Sequence, residues 1–258
     1  MCLLAFDWQP QAPTPLRLIG NRDEFHERPA LPLHHWNHAP ITGGKDLEAG
    51  GSWLAVNHMG RVAALTNVRD PQLVTPPNAP SRGELVRQAL TCADIESWLE
   101  TLRYQAHGYA GFNLLVATPQ TLWHMHRGRE HTTLTRVSEG VHVLSNADLD
   151  TPWPKAIKLK DALLTEARTS ASGVIARWPE ASLKAIQQSN EAPWESLPDT
   201  GIDLALEKKL SAAFIVGDTY GTRATTWLTL QRDGRIQITE QSFGPMAAPY
   251  GEVTLQVG

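Results

Sequence analysis

The chain has 258 residues, of which 41% are hydrophobic and 19% charged, with nine tryptophans and a formal net charge of -4. Such a composition supplies a large core and excludes a disordered chain. The charge is mild and the basic residues are scattered, which excludes the electrostatic footprint of a nucleic-acid or anionic-membrane binder.

The length suits one domain over residues 1–258. The only cysteines, Cys2 and Cys92, form neither a disulfide framework nor a CxxC site, as fits a reducing compartment. The opening apolar run LLAF is broken by Asp7 and has no basic segment before it, so it is too short for a signal peptide. No later stretch reaches the length of a membrane span, and the expected location is cytoplasmic.

In chain order, CLLAFDW (2–8) and LRLIGNR (16–22) flank QPQAPTP, whose prolines cannot sit in a central strand; the pattern predicts a β-hairpin. A turn near Ala12 makes cross-strand partners sum to about 24, placing Cys2 opposite a residue close to Arg22. A loop carrying GGKD and EAGGS follows, then a second hairpin from WLAVN (53–57) and RVAALTNV (61–68) joined at HMG. VRDPQLVTPPNAP reads as loop. Ser81, Arg82 and Glu84 are read as helix capping, with a capping box opening a helix that runs to about Leu90. A second helix is expected over 94–103 from Asp94. FNLLVAT, TLWHMHR, HTTLTRV and VHVLSN follow as four strands. Thr151 is expected to cap the next helix with Pro152 at its first position. Residues 174–203 read as partly helical and then loop, before strands at AAFIVGD, TRATTWLTLQRDG, RIQITEQSF and VTLQV.

Strands in hairpin-linked groups separated by blocks of helices predict an α+β fold of mainly antiparallel sheets. Ten or more strands whose sheets need covering on both faces fit a four-layer αββα sandwich, with a single α+β sheet layer as the alternative.

Cys2 has two readings. It is a small apolar residue opening a buried strand, or Met1 is removed and Cys2 becomes an N-terminal thiol beside its own α-amine, carrying nucleophile and base together. The second reading needs a carboxylate to hold the amine, a guanidinium to steady negative charge and donors for an oxyanion. The hairpin register brings Arg22 and Asp23 of GNRDEFHERP beside Cys2. As consecutive strand residues they point to opposite faces unless the strand has ended or bulged.

MCLL followed by GNRDEFHERP, together with GGSWLAV, ALTNVR, SRGELV, LSNADLDTPWPK and GTRATT, resembles the NRDE family, also called the transport and Golgi organisation family. That family is similar to the N-terminal nucleophile (Ntn) hydrolases, particularly the cysteine branch of bile salt hydrolases and penicillin V acylases. The resemblance implies Cys2 as nucleophile, Arg22 and Asp23 as its strand partners, Asn67 and Asn146 as oxyanion donors, and Arg223 as a late arginine of the site. In that branch the Arg and Asp are spaced apart, whereas here they are consecutive. Read without the resemblance, the two asparagines are turn formers at strand ends, and Arg223 is a surface ion-pair partner.

The histidines His34, His35 and His38, and the pair His124 and His126, have no recognised metal spacing, so neither a metal nor a cofactor is expected. There is no CxxCH motif. Tryptophans 36, 53, 123, 153, 178 and 194 are expected in the core, with some lining an apolar pocket above Cys2. The resulting expectation is a cysteine hydrolase cleaving an amide-like or thioester bond in a small, partly apolar substrate. The alternative is a non-catalytic carrier binding haem or an acyl or lipid ligand in the same cleft, since the resemblance links family members to haem and lipid handling. Fold alone does not decide between them. The expected partner is a small-molecule substrate or hydrophobic ligand, with no nucleic acid and no membrane span.

Overall fold

The computed structural model describes residues 2–171 and 178–258. Its opening hairpin joins β1 (Cys2–Trp8) to β2 (Leu16–Phe25) in the expected register, with Cys2 paired to Arg22 and Trp8 to Leu16. Then come β3 (Ala30–His35), β4 (Thr42–Asp46), β5 (Leu54–Val56) and β6 (Val62–Asn67). Helices α1 (Gly83–Thr91) and α2 (Ile95–Gln105) precede β7 (Phe112–Ala117), β8 (Leu122–Arg127), β9 (Thr132–Arg136) and β10 (Gly140–Leu144). Helices α3 (Pro154–Ala171), α4 (Glu180–Ile186) and α5 (Leu204–Leu210) lead to β11 (Tyr220–Leu230), β12 (Ile236–Phe243) and β13 (Pro249–Val257).

Among the described residues the strands form two antiparallel sheets, one ordered β10-β1-β2-β11-β12-β13 and the other β3 to β9 in sequence. Strand alternation assigns the faces. On β1, Leu4, Phe6 and Trp8 pack between the sheets, while Leu3 and Ala5 join Trp153, Leu159 and Leu163 of the α3 layer. On the second sheet Ala63, Leu65 and Leu114 face Leu85, Leu90 and Leu99 of α1 and α2. Helix, sheet, sheet, helix: the four-layer αββα expectation is met.

Several local expectations are corrected. GGKD is strand, not loop, because Gly43 lets β4 lie close on β5: a Cβ there would sit 2.5 Å from the Ala55 Cβ. The Ser81–Glu84 capping box does not form; α1 starts at Gly83 with no side-chain cap, and Glu84 bonds Arg87 instead. Asp94 does cap α2, accepting from Ser97 N at 2.6 Å. Thr151 turns back to Asp148 O, so α3 starts two residues later, with Pro154 at its first position. AAFIVGD is not a strand, although its residues 212–215 are buried: Phe214 N donates to Gln188 O and Ile215 N to the Thr222 hydroxyl, so the segment joins no ladder. Helix α5 was not foreseen, and the first four residues of the expected 174–203 region lie outside the described residues.

The sheets meet at the start of β1. The Ser145 hydroxyl donates to Cys2 O at 3.1 Å, the Thr66 hydroxyl to Ser145 O at 2.5 Å, and Arg69 N to Asn146 O at 2.7 Å. The ends of β6 and β10, one from each sheet, are thereby locked around Cys2.

Candidate active site

Cys2 opens β1 on the face between the sheets, partly buried at the wall of a cavity of about 410 Å³. Burial pushes its thiol pKa up; the Asp23 carboxylate acts in the same sense, while Arg22 and a hydrogen bond from the Asp23 amide oppose it. Its resting form is therefore the neutral thiol. Arg22, directly across the ladder, is 6% exposed, with its guanidinium 4.3 Å from the Trp53 ring centre and 3.8 Å from the Asp46 carboxylate.

Asp23 takes the opposite face, toward the helices. A bulge in β11 between Thr222 and Ala224 lets the Thr222 hydroxyl donate to Asp23 Oδ1 at 2.7 Å, and the Tyr220 hydroxyl donates to Asp23 O. Burial raises the Asp23 pKa, against which Lys155 and Thr222 pull it down. Lys155, on α3, is 3% exposed and donates to Leu210 O at 2.9 Å. Burial lowers it to about 8, with Asp23 as the leading opposing charge. Thus Arg22 and Asp23 diverge as alternation demands, yet both line the same cavity.

Asn67, at the end of β6, also lines this cavity. Asn146 does not. It is fully buried, its Nδ2 donates to Asn67 O at 2.8 Å, and it borders a neighbouring cavity of about 640 Å³ with Arg69 and Trp153. Arg223 lies outside the Cys2 cavity as well; its Nη1 donates to Phe25 O and Arg28 O. It faces a third cavity of about 480 Å³, which shares Arg22 and Trp53 with the first and adds Leu31, Phe243 and Tyr250.

Four of the six sequence-predicted residues, Cys2, Arg22, Asp23 and Asn67, therefore converge. The wall differs from the apolar pocket expected, since Trp53 is joined by Glu24, Arg28, Asp46 and Arg82. Sequence reasoning missed Lys155, which reads as an ordinary outward lysine in KAIKLKDALL, and Thr222, whose place opposite Asp23 depends on the β11 bulge. Four of the histidine rings singled out in the sequence, His34, His35, His124 and His126, are engaged within the fold. His124 and His126 both contact Asn113 Oδ1, at 3.2 and 2.7 Å, and burial lowers His124 to about 4. His34 contacts Pro32 O and His35 the Thr42 hydroxyl.

A family model described as Transport and Golgi organisation 2 matches residues 1–245. Among curated proteins, the Transport and Golgi organization protein 2 homologs of Bos taurus and Homo sapiens are each 34% identical over 265 residues, covering 94% of this chain and 93% of theirs. Among solved structures, a cysteine-to-alanine mutant of conjugated bile acid hydrolase from Clostridium perfringens superposes with a TM-score of 0.55 at 8% identity, over 99% of this chain and 92% of that one. Another variant of the same enzyme gives 0.53 at 10% identity, with the same coverage. These likenesses establish the Ntn-hydrolase fold.

Proposed function

This chain belongs to the Transport and Golgi organisation 2 family, and we propose that it is a cysteine Ntn hydrolase cleaving an amide or thioester bond of a small acyl compound. The observation that carries the reading is the pairing of Cys2 with Arg22, which sets a neutral thiol at the wall of a substrate-sized cavity beside Asp23 and Asn67.

Met1, which lies outside the described residues, must first be removed. The freed Cys2 amine then takes the thiol proton as sulfur attacks the acyl carbonyl, and the Asn67 amide donates to the resulting oxyanion. Collapse breaks the bond to the amine or thiol leaving group, which recovers the proton from the Cys2 ammonium and departs, leaving an acyl thioester on Cys2. Water, giving its proton to the amine, releases the carboxylic acid and restores the thiol. Asp23 orients the amine, Arg22 steadies negative charge, and Asn146 holds Asn67 in place. Arg223 acts at one remove, fixing the backbone at Arg28 on the cavity wall.

A panel of short-chain amides and thioesters tests the reading. Processed wild type turns over at least one of them and Cys2→Ala none; equal turnover by both proteins would sink it. The carrier reading draws on the 480 Å³ cavity, whose Leu31, Phe243 and Tyr250 suit an apolar ligand. Undiminished ligand affinity in Cys2→Ala, without turnover in either protein, is its signature.

A further inference from the structure

The Cys2 cavity wall carries three guanidiniums, and two are already answered by acidic side chains. Arg28 Nε lies 2.6 Å from Asp46, and its Nη1 3.2 Å from Glu48. Arg22 stacks on Trp53 and shares Asp46. Of the remaining carboxylates on the wall, Asp23 is held by Thr222, and Glu24 Oε1 accepts from Phe25 N. Arg82 differs: among the described residues it makes no ion pair, and its one side-chain hydrogen bond runs from Nη1 to Gly111 O at 3.0 Å. It is half-buried, and the burial it has lowers its pKa, while Cys2 and Glu24 pull the other way. A cation drawn out of water normally has a counter-charge.

The mount is rigid. Arg82 directly precedes α1, and Gly83 packs so tightly on the 51–52 backbone that a Cβ at Gly51 would sit 2.3 Å from the Gly83 carbonyl carbon. Ser52 N donates to Gly83 O at 3.2 Å. The backbone that carries Arg82 is therefore fixed before any ligand arrives, and the bond to Gly111 O holds the guanidinium at the cavity wall.

We propose that Arg82 reads an anionic group on the substrate, so that the favoured substrates are acyl compounds carrying a carboxylate, sulfonate or phosphate within reach of the Cys2 cavity. The proposal rests on Cys2 being the reactive nucleophile. A planar guanidinium with free donors binds such oxyanions as a fork.

Iodoacetate and iodoacetamide test it, as near-isosteric anionic and neutral alkylators whose iodide the Cys2 sulfur displaces. Peptide mass analysis gives the rate ratio at Cys2 for each protein. Arg82→Gln lowers the iodoacetate-to-iodoacetamide ratio about tenfold, and Arg82→Lys lowers it less. Arg87→Gln, on the outer side of α1 and paired with Glu84, leaves the ratio unchanged. An unchanged ratio in Arg82→Gln, with iodoacetamide still labelling Cys2, overturns the proposal. If neither reagent labels wild-type Cys2, the nucleophile reading fails and the proposal falls with it. Should Arg82→Gln not fold, protection of wild-type Cys2 from iodoacetamide decides: succinate protects and succinamide does not, and equal effects of the two overturn the proposal.

Discussion

At Cys2 the local chemistry favours a neutral thiol, because burial outweighs Arg22 and the Asp23 amide. That suits a nucleophile whose base is its own amine, since no standing thiolate is needed. The two asparagines separate by role. Asn67→Ala is expected to keep the melting temperature and lower turnover, because its side chain faces the cavity. Asn146→Ala is expected to lower both, with a stability loss of about 1–3 kcal/mol from the orphaned buried partner of its amide. Thermal melts beside activity assays check the pair; equal destabilisation by both would contradict the assignment. Arg22 and Asp23 were legible in the sequence because three prolines fix the hairpin turn and the turn fixes the register. Arg82 was not, because a residue next to a helix start reads as capping, and its exposure to the cavity depends on the approach of residues 51–52, far away in sequence.

Among the elements, the two helix starts on the second sheet make a controlled contrast. Asp94 accepts from Ser97 N and caps α2, whereas α1 begins without a side-chain cap. Asp94→Ala is expected to cost about 1 kcal/mol, and Ser81→Ala to change stability by less than about 0.5 kcal/mol. Urea denaturation checks both, and equal losses would contradict the structure. Elements with strong local signals were read correctly: the apolar runs of β1 and β2 around their proline-rich turn, the turn at HMG and the Asp94 cap. Strand β4 was missed because two glycines and a lysine carry little strand propensity, and what makes it a strand is the space Gly43 gives Ala55 across the ladder. The segment 212–218 misled in the opposite direction. Residues 212–215 are buried, but their backbone groups are met by Gln188 and Thr222 instead of a neighbouring strand.

For the whole molecule, the site depends on two sheets held face to face. Glu240 is one tie between them: from β12 of the first sheet it accepts from Leu33 N of β3 in the second at 2.8 Å, and from the Thr226 hydroxyl at 3.1 Å. Burial raises its pKa from 4.5 to about 7, against the pull of those donors and of Arg22. A carboxyl whose folded pKa is raised stabilises the fold below its unfolded value and loses that contribution as pH rises through the folded value. Relative to wild type, Glu240→Gln should therefore gain stability as pH climbs from 4.5 to 7. Denaturant midpoints across that window check the sign, and a constant difference would contradict it. None of the described helices is long and apolar enough to cross a membrane.

The central claim is that Cys2, freed of Met1, forms an acyl enzyme. Time-resolved intact-mass analysis after mixing with an activated short-chain acyl thioester tests it most directly. The predicted result is a chain lacking Met1 that gains one acyl group on its N-terminal peptide, loses it with time, and never gains it as Cys2→Ala. A chain that retains Met1 throughout, or acylation confined to Cys92, would contradict it.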